Sequence, residues 1–182
     1  MRRKHPVLRT YCKQAFMSLK ATKLLLLFLL LGAASTKAQD SKENRIIVGK
    51  GWGDVSLGAK RKVVDKLLGK FVTDGRVYDD VYFVDYLSKG IQVSFNSKAN
   101  TVHAIYFYNK QFREQHFAVF QGKTEKGIHW KSTLDEVLTA YGKPINHYSG
   151  DGFAGPWHRL VYEGIDFRFE SEVLVRIGIP GK

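Results

Sequence analysis

Six histidines are the first residues to test for chemistry. His5 lies in the amino-terminal leader described below. Of His103, His116, His129, His147 and His158, no two sit four apart on a helical stretch, and none has the spacing of a zinc site. His147 and His158 flank a turn containing Asp151 and Gly152. Two imidazoles and a carboxylate could hold a metal there, or serve as a base with its orienting partner. Scattered surface histidines explain the same spacing more simply. Serine chemistry has less support: no Gly-x-Ser-x-Gly occurs, and Ser149-Gly150-Asp151-Gly152 reads as a turn. A glycosidase needs two carboxylates across a cleft. Asp79, Asp80 and Asp85, or Glu163 and Asp166, offer them but read as solvated charges. Gly49-Lys50-Gly51-Trp52-Gly53 lacks the spacing of a phosphate loop and is followed by Asp54, so it reads as a tight turn. No cofactor and no metal are expected.

The aromatic residues suggest recognition rather than catalysis. Tyr82 and Tyr86 share one parity of a strand-like run, and Tyr106 and Tyr108 share one parity of another. If Phe83, Ile105 and Phe107 face a helix layer, the four tyrosines form a row on the opposite face. Rigid rings with wet hydroxyls suit binding, although strands favour tyrosine anyway. Trp157, beside Pro156 at the end of the Gly-rich loop 150–155, could add an anchor. Trp52 and Trp130 precede the predicted helices and read as core residues.

The elements that would position these side chains come twice. Residues 46–70 and 119–143 align without a gap, with Gly49-Lys50 on Gly122-Lys123 and Gly69-Lys70 on Gly142-Lys143. In the second copy Thr133 and Glu136 are spaced as a capping box, and Leu134, Val137, Leu138 and Tyr141 form one apolar face. Gly142 and Pro144 end that helix. In the first copy Val63, Val64, Leu67 and Leu68 make the face and Gly69 the stop, with a poorly capped start. Three alternating, strand-like runs follow each helix: 81–87, 91–95 and 102–108, then 160–163, 165–169 and 173–179. The expected class is α+β: two tandem strand–helix–three-strand repeats, 46–108 and 118–182, joined by a connector at 109–117. Their antiparallel sheet would carry the helices packed on one face and leave the other open.

Residues 1–38 read as a secretory signal peptide. Basic residues lead, an apolar run covers 24–31, and a small-x-Ala site ends at Ala38. Met17 opens a leader of more usual length, and 39–45 read as a flexible lead-in. The apolar run is too short to span a membrane, and no cysteine follows it for a lipid. No stable membrane anchor is therefore expected after cleavage. The chain has 29 Lys and Arg against 17 Asp and Glu, a formal +12. Eight of the basic residues and none of the acidic ones lie in 1–38, so the rest carries only +4. No basic stripe remains to favour nucleic acid. Cys12, the only cysteine, is also in the leader. A mature domain starting at Gln39 would have no disulfide and would rely on its core, for which it is long enough.

The order of strand, helix ending in Gly-Lys and three antiparallel strands resembles the module of the β-lactamase-inhibitor-protein and SmpA/BamE-like small-lipoprotein group. The residues carrying the resemblance are Val64, Leu68 and Gly69 in one copy, and Ser132, Val137, Tyr141, Gly142 and Pro144 in the other. It implies a secreted or periplasmic, non-enzymatic module that binds protein through loops and an open sheet face. The chain lacks the disulfides typical of the inhibitors and the lipidated cysteine of the lipoproteins, so their particular partners do not transfer. The expected partner is an envelope or extracellular protein. The alternatives are a small secreted hydrolase or metal-dependent enzyme around His147, Asp151 and His158, and a small-ligand or glycan-binding protein.

Overall fold

The computed structural model describes residues 44–109, 116–153 and 155–181. The signal peptide, most of the lead-in and most of the connector expected from the sequence lie outside the described residues. Three short strands come first: β1 (Arg45–Ile47), β2 (Gly51–Trp52) and β3 (Val55–Ser56). Helix α1 (Arg61–Leu68) leads into β4 (Val72–Tyr78), β5 (Val81–Tyr86), β6 (Ile91–Asn96) and β7 (Thr101–Tyr108). Then β8 (Lys123–Thr124) and helix α2 (Leu134–Tyr141) lead into β9 (Asn146–Gly152), β10 (Gly155–Tyr162), β11 (Ile165–Glu170) and β12 (Val173–Ile179).

The main sheet has eight strands in the order β4-β5-β6-β7-β12-β11-β10-β9. Neighbours within it are antiparallel throughout. A second sheet has the order β3-β2-β1-β8, with β1 and β8 parallel. One face of the large sheet supplies the core. Val84, Ile91, Val93, Phe95, Ile105 and Phe107 contribute from one half, and Leu160, Ile165, Phe167, Phe169, Ile177 and Ile179 from the other. Every one of these is fully buried. Alternation explains the choice: successive side chains of a strand point to opposite faces, so the apolar phase of each strand selects the core.

This corrects the expected class. The fold is mostly β, not an α+β repeat with a helix layer. Each helix has eight residues, little more than two turns, and offers few side chains for burial. Those buried are Val64 and Leu68 of α1 and Val137 of α2. The small sheet shares that side of the molecule through Ile46 and Val55. Each long meander has four strands rather than three, because β4 and β9 form the outer edges of the large sheet. Residues 149–152, read as a turn from their Gly and Ser content, lie inside β9.

The local signals explain the two helices. Thr133 Oγ1 accepts from the Glu136 amide at 3.2 Å, and the Thr133 amide donates to Glu136 Oε2 at 2.9 Å. Gly142 follows with φ +77 and donates its N–H to Leu138 O. Helix α1 is preceded by Lys60 at its N-cap, which supplies no side-chain cap.

Candidate functional site

The pairing registers separate the four tyrosines. Tyr82 lies opposite Phe95 and Tyr86 opposite Ile91, on the core face. Tyr106 lies opposite Gln92 and Gly178, on the other face, and Tyr108 opposite Arg176. Phe83 pairs with Ser94, so it stands on the face of Tyr106 and stacks on it with ring centroids 6.5 Å apart. The expected row of four does not form, because Phe83 rather than Tyr82 occupies the outer phase of β5.

Tyr82 and Tyr86 instead fasten α1 to the sheet. Tyr86 is fully buried and its hydroxyl donates to Asp65 Oδ1. Arg61 Nε donates to both Asp65 oxygens, at 2.8 and 2.9 Å. The Arg61 guanidinium lies 4.5 Å from the centroid of Phe71 and 5.2 Å from that of Phe95. Burial, reinforced by Asp65, pushes the Tyr86 phenol far above its ordinary range.

The face away from the helices carries the arrangement best suited to binding. Arg159 of β10 lies directly opposite Arg168 of β11, and Arg168 opposite Arg176 of β12. Like charges opposed across strands destabilise a sheet, so this ladder needs compensation. Asp166 supplies it. Its carboxylate is almost completely buried, accepting from Arg159 Nη2 at 2.9 Å and from Arg176 Nη2 at 3.0 Å. Gly178, opposite Asp166, leaves room for that carboxylate: a Cβ there would lie 2.9 Å from Asp166 Oδ2. Arg168 Nε donates to Glu170 Oε1 at 3.2 Å.

Aromatic rings frame the ladder. The Arg176 guanidinium lies 5.1 Å from the Tyr106 ring centroid, and that of Arg168 lies 5.3 Å from Trp157. Burial disfavours the Arg176 cation, yet Asp166 holds its pKa above the ordinary value. The Tyr106 phenol is raised by burial, against the opposing pull of Arg176. Further along the face, Gln92 donates to Asp85 Oδ1 at 2.7 Å and accepts from the Tyr108 hydroxyl at 3.1 Å. Phe117 stacks on Tyr108 with centroids 4.3 Å apart, and Tyr108 is buried. Tyr108 is thus a buried support, whereas Tyr106 and Trp157 are part-exposed rims of the arginine ladder.

Asp85 and Asp166, read from the sequence as solvated charges, are both buried. Arg159, Arg168 and Arg176 are not distinguishable in the sequence, because each occupies the polar phase of its own strand. Only the register across three strands brings them together.

His147 and His158 do meet. His147 Nε2 and His158 Nδ1 are 3.1 Å apart, one donating and the other accepting. Asp151 stands further along β9 on the same face, outside that contact. Among the described residues no group of three or more His, Cys, Asp or Glu side chains is placed to hold a metal ion. An open cleft of about 870 Å³ lies between the Val48-Gly49 turn, the start of β7 and the Pro180-Gly181 segment. Among the described residues its ionisable lining is His103 and Glu163. Among the described residues no helix is long and apolar enough to cross a membrane. No protein-family model, curated protein or solved structure significantly matches the chain.

Proposed function

We propose that this chain is an exported, non-enzymatic interaction module that binds a protein partner through the sheet face opposite its helices. The observation that carries the reading is the pair Arg159 and Arg168, backed by the largely buried Arg176 and rimmed by Tyr106 and Trp157. Arginine and large aromatics are the residues that most often anchor protein interfaces. Here Asp166 and Glu170 hold the guanidinium groups in place, so little side-chain freedom remains to be lost on binding. An envelope or extracellular protein presenting carboxylates and an apolar contact for Trp157 is the matching partner. Export rests on the signal-like sequence of residues 1–38.

Affinity capture from envelope and medium, with the mature chain as bait, tests this when variants of both faces are compared. Arg168→Ala combined with Trp157→Ala should weaken capture of the retained protein at least tenfold, the effect of losing a hot spot of about 2 kcal/mol. Val63→Ser, on the exposed side of α1, should leave capture unchanged. Equal loss from both, or from neither, refutes the face assignment.

A further inference from the structure

The two edges of the large sheet are built differently. The ladder between β4 and β5 breaks register between Thr73 and Val77, an irregularity of the kind that protects an edge from pairing. The ladder between β9 and β10 runs unbroken from Asn146 to Gly152. Strand β9 has seven residues, all exposed, and contains neither lysine nor proline. Its outer side is therefore a long, regular and unguarded row of backbone donors and acceptors.

We infer that β9 pairs antiparallel with β9 of a second copy of this chain, joining two large sheets into one. The sequence of the strand is complementary to itself when turned about its middle. A two-fold axis normal to the sheet keeps corresponding faces flush, so the register must be centred on a residue. Centring on Ser149 engages the whole strand.

That register makes three matched contacts, each occurring twice. His147 comes opposite Asp151 of the second copy, on the face where His147 already meets His158. A carboxylate there faces an imidazole pair rather than another carboxylate. Tyr148 comes opposite Gly150. Gly150 lies under Trp157, where a Cβ would stand 3.2 Å from the indole nitrogen, so the absence of a side chain there leaves the outer edge of that ring open to the incoming strand. The incoming tyrosine, half-exposed in the isolated chain, packs against that edge. Ile145, just before the strand, and Phe153, in the turn just after it, come to the same end of the paired strands, and these are the two most exposed large apolar residues among those described. Centring one residue either way leaves one end of the strand unpaired. It also sets His147 against Ser149 or against Phe153, and separates Ile145 from Phe153.

Sedimentation equilibrium of the purified chain should show a reversible dimer. In a Cys12→Ser background, Ser149→Cys sits on the axis and should form a reducible covalent dimer, since opposed Cα atoms of an antiparallel pair lie within disulfide reach. Ser97→Cys, in a surface turn, should not. His147→Asp and Asp151→His should each weaken the dimer about tenfold by opposing like groups twice over. The two together should restore it, because an imidazole then again faces a carboxylate. A monomer at the highest soluble concentration overturns the inference, as does a monomer that accepts a strand of some other protein at β9. A dimer with no preference for Ser149→Cys over Ser97→Cys also overturns it.

Discussion

Tyr86 shows how one side chain can couple stability to pH. Its ring lies in the core and its hydroxyl donates to Asp65, which is itself held by Arg61. The folded phenol therefore stays protonated well above the ordinary tyrosine value of 10.0. Burial also raises Tyr106, Tyr141 and Tyr162. Below about pH 10 the folded and unfolded chains bind the same tyrosine protons, so this contribution is fully present. Above it the unfolded chain releases protons that the folded chain retains, and stability falls as pH rises. Thermal melts from neutral pH to about pH 11 should show the decline setting in near the ordinary tyrosine value. Tyr86→Phe should lose about 1 kcal/mol at neutral pH with its hydrogen bond and show a shallower alkaline decline. An equal slope in the variant would mean that Tyr86 is not a main source.

Among the elements, α2 is the one whose boundaries can be read in full from the chain. Thr133 and Glu136 announce its start, and Gly142 with Pro144 its end. Thr133→Ala should cost about 1 kcal/mol of stability, read as a lower urea midpoint at unchanged slope, because an orphan amide loses its acceptor. Strands β5 to β7, β11, β12 and the second half of β10 are also legible, since a half-buried strand writes its buried face into the sequence at period two; the first half of β10, Gly155–Arg159, reads as loop. Strands β4 and β9 are not. An edge strand such as β9, wet on both faces, needs no apolar phase, and Asn146–Gly152 accordingly reads as turn chemistry. The tyrosines mislead for a different reason. Parity correctly puts Tyr82 with Tyr86 and Tyr106 with Tyr108. Which pair faces the helices depends on the register between strands, which no single strand encodes. The arginine ladder is hidden in the same way, being a property of three strands at once.

At the scale of the whole molecule, the two meanders meet along β7 and β12. Phe107 lies opposite Ile177 there and Ile105 opposite Ile179, all fully buried. The halves are also crossed elsewhere. Strand β1, from the start of the described chain, pairs with β8. The Gly49 amide donates to Gly164 O at 3.0 Å, and Phe120 packs on Phe107 with centroids 4.5 Å apart. Neither half owns a complete core, so neither has a route to unfolding alone. Denaturation should therefore be a single transition, the same whether followed by tryptophan fluorescence or by far-ultraviolet circular dichroism. Ile177→Ala removes a buried side chain from the seam and should cost about 2–5 kcal/mol. It should lower the midpoint of the whole chain without splitting the transition. Two separated steps in that variant would show instead that each meander holds its own core, and that the seam joins two units that fold without one another.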